Sequence, residues 1–136
     1  MANWFLCSMG ANLQPEFNFA KARSALINLG EAYYSRAIYT KPVAMQSAHD
    51  FLNALFILHT ELDAASLKQQ FNAIEQQLGR DRSDPLSAIK DRPMDIDIIG
   101  QLTADHSDAV WQQVPDYLAS SSAGLKQLYN QLEAVQ

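Results

Sequence analysis

Residues 92–99 (RPMDIDII) place two carboxylates two positions apart in an apolar run. If this run is a strand, its side chains alternate between faces, so Asp95 and Asp97 lie on the same face. Carboxylates at this spacing lie ~6.5–7 Å apart along the strand. Such a pair can hold one or two magnesium ions that are bound mostly through water and phosphate oxygens. An ordinary strand with one solvated face has the same pattern, and the residues alone do not decide between the two.

A basic loop is predicted just before these carboxylates. Residues 80–92 contain three arginines and one lysine: Arg80, Arg82, Lys90 and Arg92. A guanidinium offers a planar fork of donors that suits phosphate oxygens, and a loop of this length can close over a ligand. Arginines beside paired aspartates are the groups that phosphoryl transfer requires, because they neutralise charge on the transferred group. The competing interpretation is a solvated loop whose own aspartates pair with its arginines.

The composition indicates one globular domain, residues 1–136, with 48% hydrophobic and 18% charged residues. The net charge of -5 argues against general binding to nucleic acid or to anionic membranes. All of it comes from residues 93–136, where six acidic residues accompany one basic residue. There is no GxxxxGK[ST] or GxGxxG motif, which excludes these two modes of nucleotide binding.

The compartment is predicted from three features of the chain. The single cysteine, Cys7, suits a reducing compartment. No apolar run approaches the ~20 residues that span a bilayer, and the first residues lack a basic secretory leader. We therefore expect a cytoplasmic protein, and we favour a monomer.

The hydrophobic pattern predicts the elements that position the charged groups. Strands are expected at residues 4–9, 33–41, 51–59 and 94–99. Helices are expected at residues 15–29, after Asp63 and after one of Ser120–Ser122, with residues 100–120 irregular. This order predicts an α+β fold, a ferredoxin-like βαββαβ sandwich with an antiparallel sheet and a C-terminal helix.

Six short motifs occur in a fixed order along the chain. They are GANL at 10–13, YTKP at 39–42, DFLNA at 50–54, IE at 74–75, LGRDR at 78–82 and RPMDIDI at 92–98. In this order and spacing, the chain resembles the 6-hydroxymethyl-7,8-dihydropterin pyrophosphokinase family over about residues 9–100. The resemblance implies a ferredoxin-like fold. It also implies magnesium-dependent transfer of pyrophosphate from ATP to the pterin hydroxymethyl oxygen, with release of AMP, in folate biosynthesis.

The resemblance also implies a role for each matching residue. Asp95 and Asp97 would hold two magnesium ions, while Arg80 and Arg92 would be the catalytic residues that stabilise the transferred group. The expected ATP-binding residues are Glu75, Arg82, Ile98 and Tyr117. The expected pterin-binding residues are Gly10, Pro42, Val43, Phe51 and Asn53. The strand pattern agrees on one point, because Phe51 and Asn53 share a face and can reach one flat heterocycle. The expected partners are ATP and a reduced pterin, with neither nucleic acid nor membrane.

Departures from the family pattern give a second hypothesis. Asp116 stands where the family usually has His, and Ser120–Ser122 stand where it has a basic residue. Lys41 precedes the proline where the family usually has Thr. The loop ends AIKDR at residues 88–92 where the family usually has Gly-Pro-Arg. The chain also ends with a helix where the family usually has a longer tail. These differences suggest a catalytically impaired relative that acts as a pterin- or nucleotide-binding or interaction module.

Overall fold

A computed structural model of the protein describes residues 2–41, 49–80 and 92–134. The strands are β1 (Asn3–Ala11), β2 (Glu31–Tyr34), β3 (Ile38–Thr40), β4 (Phe51–Thr60) and β5 (Asp95–Leu102). The helices are α1 (Pro15–Leu26), α2 (Ala64–Gln77), α3 (Ser107–Trp111) and α4 (Ala119–Ala134), and α4 follows a short 3-10 helix at Asp116–Leu118.

The five strands of the described ranges form one antiparallel sheet in the order β2-β4-β1-β5, and β3 also pairs with β4. β1 is central because it pairs with both β4 and β5. β2 and β3 pair with successive parts of β4, so they lie along the same edge of the sheet. The expected combination of α and β structure, antiparallel sheet and C-terminal helix is confirmed.

Helices α1 and α2 cover one face of the sheet. One apolar cluster lies between these helices and the sheet. It contains Phe19 and Leu26, which are at helical spacing in α1, Phe71 of α2, and alternate residues of β1, β4 and β5. Asp63 caps α2 as expected, since its Oδ1 accepts a hydrogen bond from the Ser66 N–H at 2.8 Å. Because side chains alternate along a strand, the remaining residues of each strand project from the opposite face of the sheet.

The opposite face is covered by α3 and α4 at one end of the sheet only. A second apolar cluster joins Trp4 and Leu6 of β1 and Leu55 and Ile57 of β4 to buried residues of these helices. Tyr129 of α4 packs edge-on against Trp4, with ring centroids 5.6 Å apart. Ser8 and Gly10, the next β1 residues on this face, lie outside this cluster, as do Asn53 and Asp95, the register partners of Gly10.

Four sequence predictions about the elements were wrong in detail. The last helix, α4, begins at Ala119 rather than at one of Ser120–Ser122. The strand expected at 33–41 is interrupted between β2 and β3, where the Ser35 Oγ accepts a hydrogen bond from the Leu55 N–H at 2.9 Å. The first helix ends at Leu26 rather than at 29. Residues 100–120, expected to be irregular, contain α3, whose Val110 packs closely on Gly100. No helix in the described ranges is long and apolar enough to cross a membrane.

Candidate active site

A row of three residues crosses the sheet beyond the α4 layer. Gly10 of β1 is the register partner of Asn53 in β4 and of Asp95 in β5. Residues that face each other in adjacent strands project on the same side of the sheet. Asn53 and Asp95 therefore flank Gly10 on one face, about 10 Å apart across two strand spacings.

Gly10 makes room for the side chain of Asn53. A β-carbon at residue 10 would lie 2.7 Å from Oδ1 of Asn53, which is closer than real β-carbons approach another heavy atom. The other end of the amide is fixed, because its Nδ2 donates to Oγ1 of Thr40 at 2.6 Å. Phe51 lies on the same face two positions earlier and is partly exposed. An aromatic ring and an oriented amide therefore lie next to each other.

Two arginines contact the two oxygens of Asp95. Arg80 Nη1 donates to Oδ1 at 2.7 Å, and Arg92 Nη1 donates to Oδ2 at 3.1 Å. The side chains of Arg80 and Arg92 are 8% and 20% exposed, so the ion pairs are mostly shielded from water. The electrostatic attraction within these ion pairs is therefore stronger than in ion pairs that are fully exposed to water. The sequence predicted all three residues, and the structure brings them together.

Glu75 connects this cluster to helix α2. The residue is completely buried, and its Oε2 accepts from the Ile96 N–H at 2.7 Å and from Arg80 Nη1 at 3.5 Å. The Arg80 N–H also donates to the Glu75 carbonyl at 3.0 Å. Glu75 therefore fixes the end of α2, the Arg80 side chain and the start of β5 relative to one another.

Asp97 and Tyr117 complete the charged end of the site. Asp97 is exposed and lies on the same face as Asp95, two positions further along β5. Burial raises the pKa of Tyr117, and the Asp95 and Asp97 carboxylates raise it further, while Arg92 lowers it. The Tyr117 phenol, carried by the 3-10 helix before α4, therefore lies in the electrostatic field of these groups.

The carboxylates fit magnesium that is bound together with phosphate. No group of three or more His, Cys, Asp or Glu side chains in the described ranges is arranged to hold a metal ion. Magnesium usually takes only one or two carboxylates and completes its coordination with water and substrate phosphates. Asp95 and Asp97, with arginines beside them, match that requirement and do not form a closed structural metal site.

Comparison with known proteins identifies the family. The profile of the 7,8-dihydro-6-hydroxymethylpterin-pyrophosphokinase (HPPK) family matches residues 6–123. The chain belongs to the HPPK family. It is 34% identical over 95 residues to proteins from two strains of Porphyromonas gingivalis, each named 2-amino-4-hydroxy-6-hydroxymethyldihydropteridine pyrophosphokinase. The aligned part is 68% of this chain and spans 65% of the length of each of these relatives.

The structure describes most of the residues to which the sequence analysis assigned a binding or catalytic role. Arg82, Pro42 and Val43 lie outside the described residues. Ile98 is half-buried and packs against the core cluster beneath α1 and α2. The other expected ATP-binding residues, Glu75 and Tyr117, lie at the charged end described above.

The sequence analysis did not assign two residues that contact the predicted site residues. Thr40 orients the Asn53 amide, and Asn12 is 3% exposed and hydrogen-bonded to the backbone of Arg92. Both belong to motifs that the sequence analysis quoted, GANL and YTKP. Their positions within these motifs were the signal that could have identified them. Their contacts join segments that are distant in sequence, and spacing along the chain does not show such contacts.

Proposed function

We propose that this chain catalyses magnesium-dependent transfer of pyrophosphate from ATP to 6-hydroxymethyl-7,8-dihydropterin, with release of AMP, in folate biosynthesis. One observation carries the proposal. Asn53 and Asp95 flank Gly10 on one face of the sheet, so an amide that can bind a heterocycle lies beside a carboxylate held by two arginines. Membership of the HPPK family supports the choice of substrates.

The pterin side consists of Phe51, Asn53 and Gly10. An aromatic face stacks on a flat heterocycle, and an amide can both donate to and accept from its polar edge. Because the Asn53 amide is held by Thr40, it offers these groups in a fixed direction. A pterin bound at Asn53 can extend its substituent over Gly10 toward Asp95, because the two side chains are about 10 Å apart across two strand spacings. Pro42 and Val43 belong to the same proposed subsite.

The phosphate side consists of the arginines around Asp95. A guanidinium has five N–H donors, so an Arg80 that uses Nη1 on Asp95 can also bind phosphate oxygens. The Arg80 Nε is buried and has no hydrogen-bond partner among the described residues, which supports a role in binding a further acceptor. Donors held in place before the reaction stabilise the charge that develops on the transferred group. Arg92 has the same role in this proposal.

Asp95 and Asp97 would hold two magnesium ions. When bound, magnesium neutralises negative charge on the ATP phosphates and polarises them for attack. Asp97 is exposed, so it can approach a hydrated cation and a nucleotide from solvent. The nucleotide side also includes Arg82 and Tyr117 in this proposal. Glu75 acts indirectly through Arg80, and Ile98, whose side chain packs in the cluster covered by α1 and α2, contributes only its backbone.

The strand order supports a ferredoxin-like fold for this single domain. If β2 and β3 are one interrupted strand, the sheet has the order second-third-first-fourth, and all neighbours are antiparallel. Helices α1 and α2 each connect two strands and pack on the same face. These features support the proposed βαββαβ arrangement.

Product analysis tests the proposed function. We would incubate the protein with ATP, magnesium and the hydroxymethyl dihydropterin, and identify the products by chromatography and mass spectrometry. We expect equal amounts of AMP and of a pterin that has gained two phosphoryl groups. ADP with a pterin monophosphate would contradict pyrophosphate transfer.

A catalytically impaired relative is the second candidate. Asp116 directly precedes Tyr117, whose phenol lies in the field of Asp95 and Asp97, and a further carboxylate near bound phosphate would oppose its binding. Calorimetry distinguishes the two candidates. Binding of both the pterin and an ATP analogue, with no product from ATP, would establish the binding module and exclude the enzyme.

A further inference from the structure

Asn12 lies where the ladder between β1 and β5 stops. The last register pair is Gly10 with Asp95, and Pro93 has no N–H with which to extend the ladder. Asn12 is nevertheless 3% exposed, and it is one of few buried polar residues in the described ranges. A buried amide costs free energy unless it is hydrogen-bonded.

Asn12 hydrogen-bonds to both backbone groups of Arg92. Its own N–H donates to the Arg92 carbonyl at 3.0 Å, and its side-chain Oδ1 accepts from the Arg92 N–H at 2.6 Å. The Leu13 N–H shares the same carbonyl at 3.3 Å. The asparagine side chain thus replaces the ladder bond that cannot form at Pro93, and it holds Arg92 three residues before Asp95.

The same side chain also approaches the pterin side. Asn12 Nδ2 lies 3.5 Å from the carbonyl oxygen of His49, two residues before β4 begins at Phe51. This is a long hydrogen bond and therefore a weak one. Asn12 therefore contacts residues just before β4 and just before β5, the two strands that carry the proposed substrate-binding groups.

We propose that Asn12 is a positioning residue that holds the Arg92 backbone, and with it the Arg92 guanidinium on Asp95, for pyrophosphate transfer. The inference rests on the proposed function for its kinetic consequence only. Asn12 contacts Arg92 through the backbone, so its effect on the reaction passes through the direction of the Arg92 side chain. A shift of about 1 Å in a catalytic group can lower the rate about 100-fold.

Two substitutions at residue 12 separate positioning from packing. Asn12→Ala removes the acceptor of the Arg92 N–H, whereas Asn12→Asp keeps an oxygen there. Thr60→Val is the matched control, because it removes another buried side-chain hydrogen bond, from Thr60 Oγ1 to the Leu29 carbonyl at 2.6 Å. Thr60 lies at the far end of β4 from the site and pairs with Asn3.

Hydrogen exchange measured by NMR tests the contact without any assay of activity. In Asn12→Ala we expect the Arg92 amide to exchange at least about tenfold faster, because its acceptor is lost. Asn12→Asp should retain protection, and Thr60→Val should leave this amide unchanged. Unchanged protection of the Arg92 amide in Asn12→Ala would overturn the inference.

Steady-state kinetics then test the consequence. We expect kcat of Asn12→Ala to fall about 10–100-fold while KM for ATP changes less than about threefold, since the lost alignment matters mainly in the transition state. Asn12→Asp should recover most of the rate. A loss no larger than that of Thr60→Val would overturn the positioning role. If the unmodified protein forms no AMP, the proposed function fails, but hydrogen exchange still decides whether Asn12 holds Arg92.

Discussion

The side chain of Asn53 lies over Gly10, in space that a β-carbon at residue 10 would fill to within 2.7 Å of Oδ1. The two residues are register partners in adjacent strands. The glycine therefore has a spatial role: it leaves room for the Asn53 amide, which we propose binds the pterin, beside the carboxylate cluster.

Gly10→Ala should displace the Asn53 amide and weaken pterin binding by about tenfold or more, because a mispaired polar group costs about 1–3 kcal/mol. Calorimetry with the pterin measures the effect. Gly124→Ala is the control, since a β-carbon there meets nothing within 4 Å. That change lies in α4 and should stabilise the protein by about 0.5–1 kcal/mol. Equal pterin affinity in the two variants would refute the role of Gly10.

Thr40→Val should weaken pterin binding, although Thr40 is not among the residues that we propose contact the pterin. Valine has nearly the same shape but cannot accept the hydrogen bond from Asn53 Nδ2, so the amide loses its fixed direction. The losses in the free energy of pterin binding and in the free energy of unfolding should together amount to about 1–3 kcal/mol. Thr40→Ser retains the hydroxyl and should bind the pterin within about threefold of the original protein. If valine and serine behave alike, Thr40 does not orient Asn53.

Glu75→Ala should destabilise the fold and slow the reaction together. The change leaves the Ile96 N–H without its buried acceptor, which costs about 1–3 kcal/mol, and removes a partner of Arg80. Glu75→Gln keeps an oxygen for Ile96 and should recover most of the stability. Urea unfolding measures this difference. A Glu75→Ala protein as stable as the original would contradict the anchoring role.

Asp97→Asn should lower the pKa of Tyr117. The Asp97 carboxylate disfavours the phenolate, so removing its charge makes ionisation easier and moves the pKa down toward its ordinary value. Ultraviolet titration of the phenolate gives the value, and Tyr117→Phe identifies which part of the titration belongs to this residue. An unchanged or higher pKa would show that Tyr117 is not in the field of Asp97.

Side-chain alternation predicted part of the site correctly. It predicted that Asp95 and Asp97 share a face, and likewise Phe51 and Asn53, because each pair lies within one strand. It did not predict that Gly10 joins the two pairs, since this depends on the pairing register of β4, β1 and β5. Register arises from contacts between distant segments, which local patterns do not specify.

The errors in the fold also arose from distant contacts. The residues at 33–41 suit a continuous strand, but Ser35 bonds to Leu55 through its hydroxyl as well as its backbone and so interrupts the pairing. Helix α3 is only five residues long, and its Val110 packs on Gly100 of β5. Neither the interruption at Ser35 nor the short helix α3 produces a periodic pattern of hydrophobic residues, so the sequence pattern did not predict them.

The most direct test of the account is the rate of AMP formation by the original protein and by a variant that carries both Asp95→Ala and Asp97→Ala. We predict that the original protein forms AMP only when ATP, magnesium and the hydroxymethyl dihydropterin are all present. The double variant should form none above background while still binding the pterin, because Phe51 and Asn53 remain. Equal rates of AMP formation in the two proteins, or none in either, would contradict the proposed function.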